Sequence, residues 1–488
     1  MNRFKTSFIW LFLAIAMLGV SIQSRNITEN SQQDKKLILK SADSKSISPE
    51  LNLAISLGVF RSVIIDILWM RAIKLQQDKR YYEIVQLYDM IGKLQPYNSK
   101  VWAYSAWNMA FNISVEHPKG IERWRWVQNG IERLKNHGLK YNPNNGLLYK
   151  ELAWIYSFKI ARHMDDSHVF YKTKLAEKVT KIFHPFKANA TQLQNMINSD
   201  DLEIKSKALA VKVNLKNSLQ MDLDTMIKLE KDPDFGPLDW RMGETHAIYW
   251  SKLGLSKKAY GVNPGDLNRL CYQAMQHLLR HGTLVYLEKG PKAPARILLW
   301  PDYRQVDPIN KMFVKQIKFF SINKLSIDGP KSAYVYFLKE ALEILVHAGQ
   351  DKMAQELFEN ANELIPNILS GYNAKEHIEL DLDKRIKEMN ALQFNGLISS
   401  LLMQHFWWKG YGNIKKSSAM LSRAKIMWNK NIKKNTKSER RITQSFDDIL
   451  KSVLLTIVKK KMFHPNIMKQ LEESSFIQKL LKNTKGKV

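Results

Sequence analysis

The stretch "FRSVIIDILWMRAIKLQQDKRYYEIVQLYDMIGKLQP" runs from Phe60 to Pro96, and its periodicity decides the fold class. Ile84, Leu87, Tyr88, Ile91 and Leu94 recur at steps of three and four, so one apolar stripe runs along a helix until Pro96 ends it. The segment upstream of Arg80 reads as a second amphipathic helix, and the short "QDK" link predicts that the two lie antiparallel.

The pattern continues outward. Trp102 and Ala106 fall four and eight places into a following unit, which is longer and ends at "KYNPNN" with Pro143; Gly138 takes its small site. "YKELAWIY" follows, with Tyr149, Leu152, Ala153 and Tyr156. Far downstream, "HAGQDKMAQELFENANELIPN" carries Gly349, Ala354, Phe358, Ala361 and Pro366 at matching places. This spacing resembles the tetratricopeptide repeat, a helix–turn–helix with small residues where helix backbones meet and an aromatic beside them. Ala72, Tyr88 and Pro96 fit it, while Ile91 is too large for its position. The resemblance covers about 60–156 and 332–366, under a third of the chain, and implies a divergent, all-α solenoid with a protein- or peptide-binding groove. The blocks "LWMRAIKLQQDKRYYEIVQLYD", "AWNMAFNISVE" and "ERWRWVQNGIE" are also similar to a group of exported bacterial proteins, a resemblance that implies no activity.

Bulk composition agrees with a helical array. The 488 residues are 45% apolar, enough for a large core, and hold only 21 Gly and 15 Pro, too few to punctuate a many-stranded fold. Lys and Arg exceed Asp and Glu by 75 to 46, a net +29. Such a field attracts nucleic acid, anionic lipid or acidic protein. No nucleic-acid-binding module accompanies it, so nucleic-acid binding is the weaker alternative. Cys271 is the only cysteine and lies on an apolar helical face, which rules out an intrachain disulfide and any multi-cysteine zinc or redox site.

The N-terminus sets an expected address. Arg3 and Lys5 precede an uncharged apolar run from Ser7 to Ile22, the pattern of a signal anchor or a cleavable signal peptide. Sixteen helical residues span about 24 Å, close to the roughly 30 Å hydrocarbon core. The expected organisation is an anchor at 1–23, a polar tether at 24–50, tetratricopeptide-like repeats at 51–172 and an irregular helical insertion at 173–235. A loop plus helical repeats follows at 236–370, then a basic helical region at 371–488. The positive flank places the anchor in the bacterial inner membrane with the body on the periplasmic side, or secreted if cleaved. From Lys409 onward 20 basic residues face 5 acidic ones, a composition suited to anionic lipid or an acidic partner.

No nucleophile elbow, phosphate-binding glycine loop, zinc-protease motif or dinucleotide fingerprint occurs, so no catalytic residue and no cofactor is expected. "ARHMDDSHVFYK" brings His163, Asp165, Asp166 and His168 together. His163 with Asp166, and Asp165 with His168, have helical ligand spacing, but on one helix the pairs face apart, so a capped, solvated turn is expected. "FGPLDWRMGETHAIYW" carries Asp239, Trp240, Arg241, Glu244 and His246, with Thr245 as a helix cap, and is the expected site for the rival reading, a cell-envelope polymer-binding module or hydrolase. "RWRW" places Trp124, Arg125 and Trp126 together; residues two apart on a helix diverge by about 200°, so one ring is expected inside and the other on a binding surface. Membrane-tethered scaffolding by protein–protein interaction is the function this sequence favours.

Overall fold

The computed structural model describes residues 60–287, 294–434, 445–460, 462–463, 465–473 and 477–478. The expected anchor at 1–23 and tether at 24–50 lie outside the described residues, and among those described no helix is long and apolar enough to cross a membrane.

Phe60–Gln77 (α1) and Tyr81–Leu94 (α2) pack on one another across a three-residue turn. Lys79 closes that turn at φ 58°, and Arg80 N–H returns to the Leu75 carbonyl at 2.9 Å, the bond that satisfies a helix C-terminus. Ala72 and Tyr88 are both buried, and the Trp69 and Tyr88 rings lie 5.8 Å apart. One departure from expectation matters. Ile65, Leu68, Ala72 and Leu75 of α1 are buried, yet Phe60, Val63, Ile67 and Met70 are exposed, so α1 is apolar on two faces and not amphipathic.

A compact unit ends with this hairpin at Pro96, and a second begins at Tyr97, inside the block read as repeats at 51–172. In the second unit, Ser99–Trp107 (α3), Gly120–Arg133 (α4), Gly146–Trp154 (α5), His168–Phe183 (α6), Ala190–Ile197 (α7), Leu202–Asn214 (α8) and Leu223–Lys231 (α9) come first. Gly243–Ser256 (α10) and Pro264–His281 (α11) follow. Thr283–Leu287 (β1) then pairs antiparallel with Arg296–Trp300 (β2), in the register Thr283 to Trp300 and Leu287 to Arg296. The run "ARILLW", short, apolar and ended by Pro301, carries a strand signal in its own sequence, whereas its partner "TLVYL" follows directly behind a helix. Val306–Ile322 (α12), Asp328–His347 (α13), Asp351–Leu364 (α14), Ala374–Glu388 (α15), Ala391–Gly410 (α16), Ile414–Lys434 (α17), Phe446–Lys459 (α18) and Pro465–Glu473 (α19) complete an all-α architecture of packed helices.

Among the described residues, four helices end in a π-helical turn: α3 at Asn108–Ile113, α4 at Leu134–Gly138, α5 at Ile155–Ile160 and α8 at Leu215–Leu219. Such turns are rare, and they displace side chains from the regular helical stripe. The small residues do the work expected of them. A methyl group on Gly130 of α4 would sit 2.7 Å from the Ala106 carbonyl of α3, so these two backbones touch. In α14, Ala354, Phe358 and Ala361 are buried behind Gly349, whose φ of 69° makes the preceding turn.

Buried apolar side chains from Trp102 to Ile378 form one core, and those from Ile386 to Ile477 form another. The basic C-terminal helices therefore carry a core of their own. Cys271 is buried in the first, as its helical face implied.

Candidate functional site

The hairpin that carries "RWRW" is filled from both sides. Trp124 stacks on Tyr171 of α6 at 6.0 Å, and Trp126 on His117 at 5.8 Å. Both rings are buried, so the expectation that one would face a partner is corrected. The divergence of about 200° holds, but α4 has packing partners on both sides. Trp102 likewise stacks on His137 at 5.4 Å and on Tyr141 at 6.1 Å. Arg125 alone of the three points to solvent.

Asp165 is no surface cap. Its carboxylate accepts from Arg123 Nη1 at 3.0 Å, Lys159 Nζ at 2.5 Å, Tyr171 Oη at 2.9 Å and the Ser167 N–H at 2.8 Å. Burial alone would raise its pKa, but the hydrogen bonds from Lys159 and Ser167 outweigh that and hold it below the usual carboxylate value. This hub ties α4, the end of α5 and α6 together.

Most of the 239–246 stretch is enclosed. Trp240 and His246 are fully buried. Trp240 Nε1 donates to Glu230 Oε1 at 2.6 Å, and His246 Nε2 lies 2.8 Å from the Trp240 carbonyl. Asp239 and Arg241, both half-buried, pair with each other. Thr245 is not a cap either: Met242 occupies the cap position and Thr245 is buried. The missing signal was the helix that follows, in which every residue from Gly243 to Ser251 is buried. Composition showed polar and aromatic residues together but not that α5 and α11 cover them.

Three of the π-helical turns meet at Lys135. Its Nζ donates to the Leu219 carbonyl at 2.7 Å, contacts Tyr156 Oη at 3.3 Å, and lies 4.9 Å from the centre of the Trp250 ring. Tyr156 stacks in turn on His246 at 4.7 Å. Burial, reinforced by the charge of Lys178 and opposed by Glu132, pulls the Lys135 amine down to about 7. A cavity of about 110 Å³ adjoins it, lined among others by Glu132, Tyr156, Lys178, Asn217 and Gln220. In "RLKNHG" Lys135 reads as an ordinary surface lysine, and only the turns that point it inward distinguish it.

The other gathering of titratable groups is a corner of histidines. His163, in the loop after α5, and His168, the first residue of α6, have their Nδ1 atoms 3.4 Å apart. His277 and His281 reach the same corner from α11, with ring centres 6.3 and 5.9 Å from that of His163. Burial lowers the pKa of His163 and takes those of His168 and His281 to about 4. The Asp166 side chain is 96% exposed and has Arg123 at 4.0 Å, so the pairing of His163 with Asp166 is replaced by histidines from a distant helix. The one-turn spacing of His277 and His281 was visible in "HLLRH" but has no meaning without the loop that faces it. Among the described residues, no group of three or more His, Cys, Asp or Glu side chains is placed so that it could hold a metal ion.

No protein-family model, no curated protein and no solved structure matches this chain.

Proposed function

We propose that this chain is a membrane-tethered, extracytoplasmic helical-repeat scaffold, tetratricopeptide-like in its hairpins, that binds a protein partner. The observation that carries this reading is the outer face of α1. Phe60, Val63, Ile67 and Met70 recur at steps of three, four and three and are 74, 55, 53 and 63% exposed. A helix that has already buried one apolar face has no folding reason for a second, and this spacing is what an amphipathic helix of a partner packs into. The charged n-region and the apolar run at 7–22 support tethering and export. The basic C-terminal helices add attraction for anionic lipid or an acidic partner.

The test is site-specific photo-crosslinking of the full chain in native membranes, with a benzophenone side chain at Ile67 and, as control, at the exposed Lys205. The expected result is one dominant adduct from Ile67, abolished by Val63→Asp with Met70→Asp. Identical patterns from both positions would remove the scaffold reading. A reporter fused after Val488 that is active only in the cytoplasm would remove export.

A further inference from the structure

We propose that Lys135 is a nucleophilic amine that holds a small polar aldehyde or ketone as an imine in the cavity beside it. The fold singles this lysine out. It is 8% exposed, enclosed where the π-helical turns after α4, α5 and α8 meet, and such turns recur at functional sites. Lys159, also buried, has the Asp165 carboxylate at 2.5 Å. Lys135 has instead the Leu219 carbonyl and Tyr156 Oη. An ammonium brings three N–H groups to these two acceptors, whereas a neutral amine uses both of its own and keeps a lone pair. A buried lysine without a carboxylate costs stability that an apolar side chain of similar length would not, so its place here has a chemical use.

The surroundings favour that neutral amine. Burial, with Lys178 of α6 nearby and against the pull of Glu132 of α4, brings it down to about 7. Burial also takes His246 of α10 to about 3 and raises the Tyr156 phenol, so both are uncharged at neutral pH. Desolvation beside a second cation is the setting in which a lysine attacks carbonyl groups. The cavity that Lys135 lines also carries the amides of Gln128, Asn136, Asn217 and Gln220, which suit the hydroxyl and carbonyl groups of a small polar compound. In the reaction the Lys135 nitrogen bonds to the carbonyl carbon and the C=O π pair moves to oxygen, which takes up a proton as nitrogen loses one. That oxygen then leaves as water while nitrogen forms the C=N bond, so one amine and one carbonyl give one imine and one water. Tyr156 Oη, 3.3 Å from Nζ, is placed to pass the proton from nitrogen to oxygen.

The experiment treats the detergent-solubilised full chain with hydroxyacetone and cyanoborohydride, which reduces an imine to a stable secondary amine, and locates the product by peptide mass spectrometry. At pH 7 only about one exposed lysine amine in 10³ is neutral. Lys135 is therefore expected to be modified at least about 10-fold faster than the exposed Lys205 and Lys324. The preference is expected to vanish in urea, where Lys135 is hydrated like the others. Lys178→Gln is expected to move the midpoint of the pH profile of Lys135 modification upward, with circular dichroism establishing that the variant is folded. If Lys135 is modified no faster than Lys205 and Lys324, no faster in the folded chain than in urea, or with an unchanged pH profile in folded Lys178→Gln, the proposal fails.

Discussion

Asp165 and Lys159 meet at 2.5 Å with neither side chain more than 2% exposed. Removing one partner of such a pair leaves an uncompensated buried charge. Asp165→Ala is expected to cost about 3–5 kcal/mol in urea unfolding followed by circular dichroism. A loss below 1 kcal/mol would show that the hub contributes little. Because the folded pKa of Asp165 is depressed, its contribution is complete above the unfolded carboxylate value of about 4 and is lost as pH falls through the lower folded value.

Two buried bases make stability rise with pH, the reverse of a base whose pKa a partner raises. Burial, aided by Lys135, holds His246 at about 3 when folded against 6.5 unfolded. The unfolded chain therefore binds the extra proton between those values, and stability is lost as pH falls below 6.5. Lys135, at about 7 folded against 10.5 unfolded, makes stability rise with pH from 7 to 10.5. Unfolding midpoints across pH are expected to lose the first slope in His246→Phe and the second in Lys135→Met. Each slope is limited to one proton, about 1.4 kcal/mol per pH unit.

Two glycines should respond oppositely to Ala. At Gly130 the new methyl meets the Ala106 carbonyl at 2.7 Å, so Gly130→Ala is expected to lower the thermal midpoint, with a cost of about 1–3 kcal/mol. At Gly396, inside α16 and exposed, nothing lies within 4 Å. There the substitution is expected to stabilise by about 0.5–1 kcal/mol through backbone entropy.

The outer face of α1 should separate binding from folding. Ile67→Asp is expected to change stability by no more than about 0.5 kcal/mol, as at other exposed positions. The same substitution should abolish the Ile67-centred contact with a partner, read as loss of the crosslink formed from Val63.

The histidine corner and the Lys135 cavity show where reading the sequence stops. His163 and His168 were visible as metal-type residues, yet the partners assigned to them, Asp165 and Asp166, turn elsewhere, one into a buried ion pair and one into solvent. His277 lies 109 positions beyond His168 in the numbering, and no local pattern links the two. Lys135 is placed by three π-helical turns, whose extra residue per turn is not encoded by any apolar period. The tryptophans of "RWRW" were misassigned for a related reason: periodicity gives the direction of each ring but not the number of neighbours waiting for it.

What the sequence by itself determined is local: the helices, from apolar spacing of three and four, the stop at Pro96, the strand at "ARILLW", and the small residues where helices touch. These follow from backbone geometry and side-chain size, which neighbours in sequence can specify. Tertiary structure alone decided which rings are enclosed, which charges are stripped of water and which histidines meet. Those properties depend on segments separated by scores of residues, because burial and contact are set by what packs against a side chain and not by the side chain alone.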